Sequence, residues 1–156
     1  MKRTMFVSCL LLAAMNTTAA FAGSDFDRLK SLAGEWEATT TEGKTRVVYQ
    51  VISNGTALLE TIVNENMVSV YHPDGDTTFM THYCGAGNQP RMRAKAATAN
   101  TMTFEYVDAA NLKGKTDGHM TGLVIKFVDA NHVTQEWTWN EAGKETTSTF
   151  HLQRIK

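Results

Sequence analysis

The stretch that decides the fold is MVSVYHPDGDTTFMTHYC, residues 67–84, in which two alternating runs flank an Asp-Gly turn. Each run is rich in β-branched and aromatic residues, as expected for a β-strand. Asp74-Gly75 supplies the positive φ angle that a tight hairpin needs. The stretch therefore predicts two antiparallel strands joined by a short turn.

The same alternation recurs along most of the chain. About ten short runs are separated by turn residues such as Asn54-Gly55 and Ala142-Gly143. They cover residues 35–41, 45–53, 56–64, 67–72, 77–84, 91–97, 101–107, 120–128, 132–140 and 144–154. Runs at this spacing predict an all-β barrel or sandwich, and tight turns favour an up-and-down antiparallel meander closed into a barrel of about ten strands. The longest loop is predicted at residues 108–118.

The N-terminal residues 1–22 have the pattern of a cleaved export signal. Lys2 and Arg3 precede an apolar run, and Ala20-Phe21-Ala22 forms a small-x-small cleavage site before Gly23. The apolar run is too short for a stable membrane anchor. We therefore predict cleavage after Ala22, a periplasmic or secreted location, and a single domain of residues 23–156.

A short helix is predicted directly after the cleavage site. Phe26, Leu29, Leu32 and Ala33 recur at helical spacing and are followed by Gly34. Nothing later in the chain has helical periodicity for more than a turn. The helix is expected to plug one end of the barrel.

The charge and cysteine content narrow the function. The 16 acidic residues slightly outnumber the 15 basic ones, and no run of Lys or Arg occurs, which argues against a nucleic-acid partner. Of the two cysteines, Cys9 lies in the leader, so the mature chain keeps only Cys84 and forms no internal disulfide. A lone thiol in an oxidising compartment is either buried and inert or retained for use.

Gly34-Glu35-Trp36 follows the predicted helix and begins the first strand. This placement resembles the lipocalin and fatty-acid-binding-protein (calycin-like) superfamily, whose barrels open with Gly-x-Trp. The resemblance implies a tryptophan packed across the closed end of the barrel against a basic residue of the last strand. Arg154 is the matching residue, and the expected contact is a cation–π stack on Trp36.

A second resemblance covers most of the mature chain. The segment THYCGAGNQPRM, residues 81–92, with Tyr71-His72 and Asp74-Gly75-Asp76 upstream, resembles an uncharacterised family of exported bacterial proteins. That family is thought to adopt a lipocalin-like barrel and has no established activity. The resemblance implies a fold and leaves the function open.

The Asp74-Gly75 turn also predicts a register. A two-residue loop formed by these residues would place Pro73 opposite Asp76 and Tyr71 opposite Thr78. Directly opposed residues share a face of the sheet. One face then carries Met67, Ser69, Tyr71, Thr78, Met80, His82 and Cys84, and we predict that this face points into the barrel.

The function that these residues favour is the binding of a small, partly apolar molecule inside the barrel. Pockets of this kind combine apolar walls with a few directed polar groups. Trp137 and Trp139 share one face of a later strand and suit such a wall. The predicted ligand-binding residues are Tyr71, Met80, His82, Cys84, Asn88, Gln89, Met92 and Trp137.

Three alternatives stay open. Cys84 and His82 could act as nucleophile and base of a cysteine-dependent enzyme, although no orienting acid is evident nearby. Met, His and Cys side chains are also soft ligands suited to Cu(I). Haem is disfavoured, because Gly34-Glu35-Trp36 is followed here by Glu37 and not by the further glycines that usually extend this motif in nitrobindin-type haem barrels. The third alternative is a protein with a filled core, in which His82 and Cys84 are structural. The sequence indicates no particular cofactor.

Overall fold

The computed structural model describes residues 25–41, 43–114 and 116–155. The predicted leader, residues 1–22, lies outside these residues. Within them, no helix is long and apolar enough to cross a membrane. The only α-helix of the described residues, α1, spans Asp25–Lys30 and buries Phe26 and Leu29. It ends earlier than the apolar spacing predicts, and Leu32 is buried from the turn that follows it.

The described residues after the helix form ten β-strands, as the alternation predicts. They are β1 Gly34–Thr40, β2 Gly43–Ile52, β3 Ala57–Ile62, β4 Met67–Asp74, β5 Thr77–Tyr83, β6 Gln89–Ala97, β7 Thr101–Ala110, β8 His119–Phe127, β9 His132–Glu141 and β10 Lys144–Arg154. Each strand pairs antiparallel with its neighbours in the sequence, and β1 pairs with β10 to close the barrel. The predicted closed, up-and-down, all-β barrel is confirmed. Closure leaves no free sheet edge.

The barrel has two different ends. At the helix end, Arg28 of α1 donates to the backbone carbonyl oxygens of Thr98 and Thr101, where β6 turns into β7. Trp36 at the start of β1 lies opposite Arg154 at the end of β10. The opposite rim, which we call the far end, carries the β5–β6 turn and the loop between β7 and β8, because alternate strands run in opposite directions.

Trp36 and Arg154 make the contact that the lipocalin-like resemblance implies. The guanidinium carbon lies 4.2 Å from the centroid of the indole ring. The indole Nε1 donates to the carbonyl oxygen of Leu32 at 2.7 Å, and Arg154 donates to the carbonyl oxygens of Ser31 and Ala33. Arg154 thus ties the last strand to the chain segment that follows the helix.

The predicted register of the β4–β5 hairpin is wrong by two residues. Asp74 pairs with Thr77 and Tyr71 with Met80, so the loop consists of Gly75 and Asp76. Gly75, with φ 58°, takes the first loop position, where a left-handed conformation is needed and where glycine is favoured. A shift of two residues preserves the side on which each side chain lies, because the side-chain period of a strand is two. The face assignment therefore survives the error.

The loop predicted at residues 108–118 is shorter than expected. Strand β7 continues through Ala110, where it pairs with Gln89, and the loop begins at Asn111 with φ 60°. Arg91 of β6 forms an ion pair with Asp108 of β7, so the Asp108 side chain belongs to the ladder of surface charges along the sheet.

Candidate functional site

The predicted inward face of the β4–β5 hairpin does point into the barrel. Its strand residues Ser69, Tyr71, Thr78, Met80 and His82 are buried, and Met67, at the start of β4, is half-buried. Cys84, just beyond the end of β5, is half-buried. The prediction of which face is internal is therefore confirmed.

Two of the predicted ligand-binding residues lie within a packed part of the core. Met80 and Met92 are directly opposed on β5 and β6, and both are completely buried. The Tyr71 ring packs edge-on against Phe104 at 5.8 Å between centroids. In this region, side chains fill the barrel interior.

A buried carboxylate that the sequence analysis did not single out lies at the centre of the barrel. Glu60 of β3 has no exposed surface. Its Oε1 accepts hydrogen bonds from the Tyr49 hydroxyl at 2.6 Å and from Gln135 Nε2 at 2.7 Å, and its Oε2 accepts one from the Tyr71 hydroxyl at 2.8 Å. Three donors thus compensate the burial of one charge, which is the condition for a carboxylate to be tolerated in a core.

The two tyrosines are held in their donor form. Burial raises the pKa of the Tyr49 hydroxyl and of the Tyr71 hydroxyl, and the adjacent Glu60 carboxylate raises both further. Gln135 extends the network, because its Nε2 also reaches the Tyr49 oxygen and its Oε1 accepts from Trp137 Nε1 at 3.0 Å. Hydrogen bonds that begin at Glu60 therefore fix the orientation of the Trp137 indole.

Strand phase was the signal that could have revealed this network. Glu60 occupies the same face of β3 as Leu58 and Ile62, so a charged residue stands in register with buried apolar ones. Gln135 stands in the same phase as Trp137 on β9. A charged or amide residue in an otherwise apolar phase predicts a buried polar partner elsewhere.

His82 links this network to the far end. Its Nδ1 is 3.0 Å from Ser69 Oγ, and its ring lies 4.9 Å from the Trp137 ring, centroid to centroid. Only 1% of the residue is exposed, and no group among the described residues hydrogen-bonds Nε2. Burial lowers the pKa of His82, and the Glu60 charge opposes this effect, so the imidazole is neutral at pH 7.

Asn88 joins the β5–β6 turn to the loop before β8. The turn is closed by Cys84 N donating to the Asn88 carbonyl oxygen at 3.1 Å, and Asn88 Nδ2 donates to the Gly118 carbonyl oxygen at 2.9 Å. Asn88 Oδ1 is buried and has no hydrogen-bond partner within the described part of the chain. A Cβ added at Gly118 would lie 2.0 Å from Trp139 Cζ2, so only glycine fits there.

Cys84 and Gln89 are less enclosed. The Cys84 thiol makes no hydrogen bond to His82 among the described residues, and His82 Nδ1 is engaged by Ser69. Gln89 lies at the rim, where its Oε1 accepts from Asn111 Nδ2 at 2.7 Å. Across residues 25–41, 43–114 and 116–155, no three His, Cys, Asp or Glu side chains are grouped to hold a metal ion.

Of the eight predicted residues, Cys84 and Asn88 lie in the β5–β6 turn at the far end, His82 lies at the end of β5 next to it, and Trp137 of β9 contacts the His82 ring. Tyr71 belongs to the Glu60 network, Met80 and Met92 to the packed core, and Gln89 to the rim. The far-end site, as we use the term below, consists of His82, Asn88, Trp137 and the adjacent Cys84.

Comparisons with known proteins give likeness in shape only. No protein-family model and no curated protein matches the chain. A redesigned β-barrel, b11L5F_LGL, is 15% identical over 86% of this chain and 100% of its own, with a TM-score of 0.40. EF1p2_mFAP2b bound to DFHBI is 13% identical over 84% of this chain and 99% of its own, with a TM-score of 0.41. The barrel itself is established by the strand pairing described above.

Proposed function

We propose that this chain is an exported small-molecule-binding barrel whose ligand occupies the far-end site. The observation that carries the proposal is His82 Nε2, a buried polar atom without a partner in the described residues, beside the Trp137 ring. Leaving such an atom unpaired costs about 1–3 kcal/mol, so a ligand group that pairs with it gains that energy on binding. Export rests on the leader pattern of residues 1–22.

The chemistry of the far-end site defines the class of ligand. A neutral imidazole nitrogen either accepts or donates one hydrogen bond, according to its tautomer, and Asn88 Oδ1 accepts one. Trp137 supplies an apolar wall whose orientation is set by Gln135. The ligand we propose is therefore partly apolar and carries at least one hydroxyl or amide group to pair with these atoms.

The Glu60 network supports this site by keeping its wall in place. Gln135 is held by the Glu60 carboxylate and the Tyr49 hydroxyl, and it in turn holds Trp137. A binding site built on residues fixed by further hydrogen bonds loses less entropy when a ligand arrives.

Two features support placing the chain among the calycin-like barrels. Gly34-Glu35-Trp36 opens the first strand, and Arg154 of the last strand covers the Trp36 ring at 4.2 Å. We include membership of this superfamily in the proposal, and it is consistent with a ligand site inside the barrel.

Native mass spectrometry of the protein isolated from the periplasm of its own host tests the proposal. We expect a retained small molecule on the wild type and its loss from His82→Phe, which removes both ring nitrogens. The matched control is His72→Phe, because His72 lies on the same hairpin and is exposed on the outer face. Recovery of the bare chain from the wild type, or equal retention by both variants, would contradict the proposal.

Export is tested separately in the same preparations. The protein should appear in the periplasmic or secreted fraction with Gly23 as its first residue, and deletion of residues 2–22 should leave it in the cytoplasm. A periplasmic chain that still starts at Met1 would contradict cleavage after Ala22.

A further inference from the structure

A pocket of about 380 Å³ lies at the helix end, on the other side of the barrel's packed core from the far-end site. It is enclosed by the segment after the helix, the β6–β7 turn and the β8–β9 turn. Its floor is formed by Leu32, Trp36 and Val133, which are buried, and its rim by Ala99, Val128 and Ala130, which are exposed. The volume is in the range of pockets that hold small molecules.

The guanidinium of Arg154, which lines this pocket, is already hydrogen-bonded. Arg154 stacks on Trp36 and donates from Nε to the Ala130 carbonyl oxygen at 3.0 Å, from NH1 to Ala33 and from NH2 to Ser31. Each of its three nitrogen atoms therefore donates to a backbone carbonyl oxygen, and these bonds, with the stack on Trp36, fix the guanidinium in place.

The carboxylate of Asp129, which also lines the pocket, is hydrogen-bonded as well. Asp129 accepts from Asn131 N at 2.7 Å and from His132 Nδ1 at 2.9 Å. These hydrogen bonds, first that from Asn131 and then that from His132, hold the pKa of Asp129 below its usual value, so the group is ionised at pH 7. The lining thus carries one cation and one anion, so its charged groups sum to no net charge that would favour a charged ligand.

Apart from the uncharged polar residues Ser31 and Asn100, the remaining lining of the pocket is apolar. Val128, at the rim, is 66% exposed, the highest value among the large apolar side chains of the described residues. Phe127 and Ala99 continue the apolar lining on either side. Val128 thus extends the apolar lining of a concave pocket outward, and concave, mostly apolar pockets are where small molecules bind.

We propose that the helix-end pocket is a second binding site, for an uncharged and mainly apolar small molecule, independent of the far-end site. Such a molecule would cover Val128 and rest on Leu32 and Val133, and it would leave the hydrogen bonds of Arg154 and Asp129 intact. The gain comes from removing apolar surface of the molecule and of the pocket from water.

The test uses N-phenyl-1-naphthylamine, an uncharged probe whose fluorescence rises in apolar surroundings. Two variants fill the pocket from its exposed rim without altering the core, Ala99→Trp and Ala130→Trp. The matched control is Ala110→Trp, which adds the same ring at an exposed position of the far end. His82→Phe serves as the far-end variant. Circular dichroism and thermal melting verify that each variant is folded.

We expect saturable binding of one probe per chain, at least tenfold weaker in both filling variants and unchanged in Ala110→Trp and His82→Phe. Absence of saturable binding, or equal affinity in the filling variants and the wild type, would overturn the proposal. So would binding that is lost only in His82→Phe, since that result would move the probe to the far-end site.

A second measurement on the wild type is independent of any variant. The indole N–H groups of Trp36 and Trp137 donate to different partners, Leu32 and Gln135, and so report on the two ends separately in a ¹⁵N-resolved NMR spectrum. Titration with the probe should shift the Trp36 signal and leave the Trp137 signal in place. The reverse pattern refutes the second site while leaving the far-end proposal standing.

Discussion

Replacing Glu60 by leucine removes the acceptor at the centre of the barrel. Leucine has nearly the same volume, so packing changes little, but the hydroxyls of Tyr49 and Tyr71 lose the oxygen to which they donate. Gln135 keeps a partner, because its Nε2 also lies 2.6 Å from the Tyr49 oxygen. The substitution therefore leaves two buried donors unpaired.

The magnitude follows from this count. Each unsatisfied buried donor costs about 1–3 kcal/mol, so Glu60→Leu should lower the free energy of unfolding by about 2–6 kcal/mol. The cost of burying the carboxylate disappears with it, which moves the result towards the lower end. The double variant Glu60→Leu/Tyr71→Phe removes one of the two donors and leaves the Tyr49 oxygen in place for Gln135, so it should regain about half of the loss.

Urea denaturation followed by tryptophan fluorescence measures these differences, with an unchanged m-value as the sign that the unfolded states are comparable. The matched control is Glu141→Leu, because Glu141 is exposed at the end of β9 and a surface substitution there should stay within about 0.5 kcal/mol. A Glu60→Leu variant as stable as the wild type would refute the role given to the network. A double variant as unstable as the single one would show that packing, rather than hydrogen bonding, explains the loss.

Three further outcomes follow from single residues. Trp36→Ala should lower the free energy of unfolding by about 3–5 kcal/mol, because the ring is buried under Arg154, and an unchanged melting temperature would contradict this. Burial lowers the folded-state pKa of His82, so the unfolded chain takes up a proton at a higher pH than the folded chain does. The free energy of unfolding should therefore fall as the pH drops below about 6.5, by at most about 1.4 kcal/mol per pH unit. His82→Phe should reduce that slope in urea titrations at several pH values. Gly118→Ala should cost about 1–3 kcal/mol and shift the Trp139 indole signal in NMR spectra, whereas Gly114→Ala, with no atom nearer than 3.7 Å to the added Cβ, should do neither.

The β4–β5 hairpin shows which features of this protein can be predicted from a short stretch of sequence. Its alternation is enough to assign Tyr71, Met80 and His82 to one internal face. The register was two residues off, because both Asp74-Gly75 and Gly75-Asp76 make acceptable two-residue turns. Only the pairing with the neighbouring strand distinguishes them. The error changed which residues are opposite and left their side of the sheet unchanged.

The sequence by itself determined the all-β class, the number of strands and the internal face of the β4–β5 hairpin, each of which depends on a period of two or on turn residues read within a few positions. The Trp36–Arg154 contact at the helix end was implied by the lipocalin-like resemblance of Gly34-Glu35-Trp36. Only the tertiary structure decided that Glu60 meets Gln135, 75 residues away, and that His82 lies against Trp137. It also decided that the turns at residues 99–100 and 128–130 enclose a pocket with the segment after the helix. The physical reason is that barrel closure sets the distance between strands far apart in the chain, and side-chain alternation carries no information about which distant strand a residue will face.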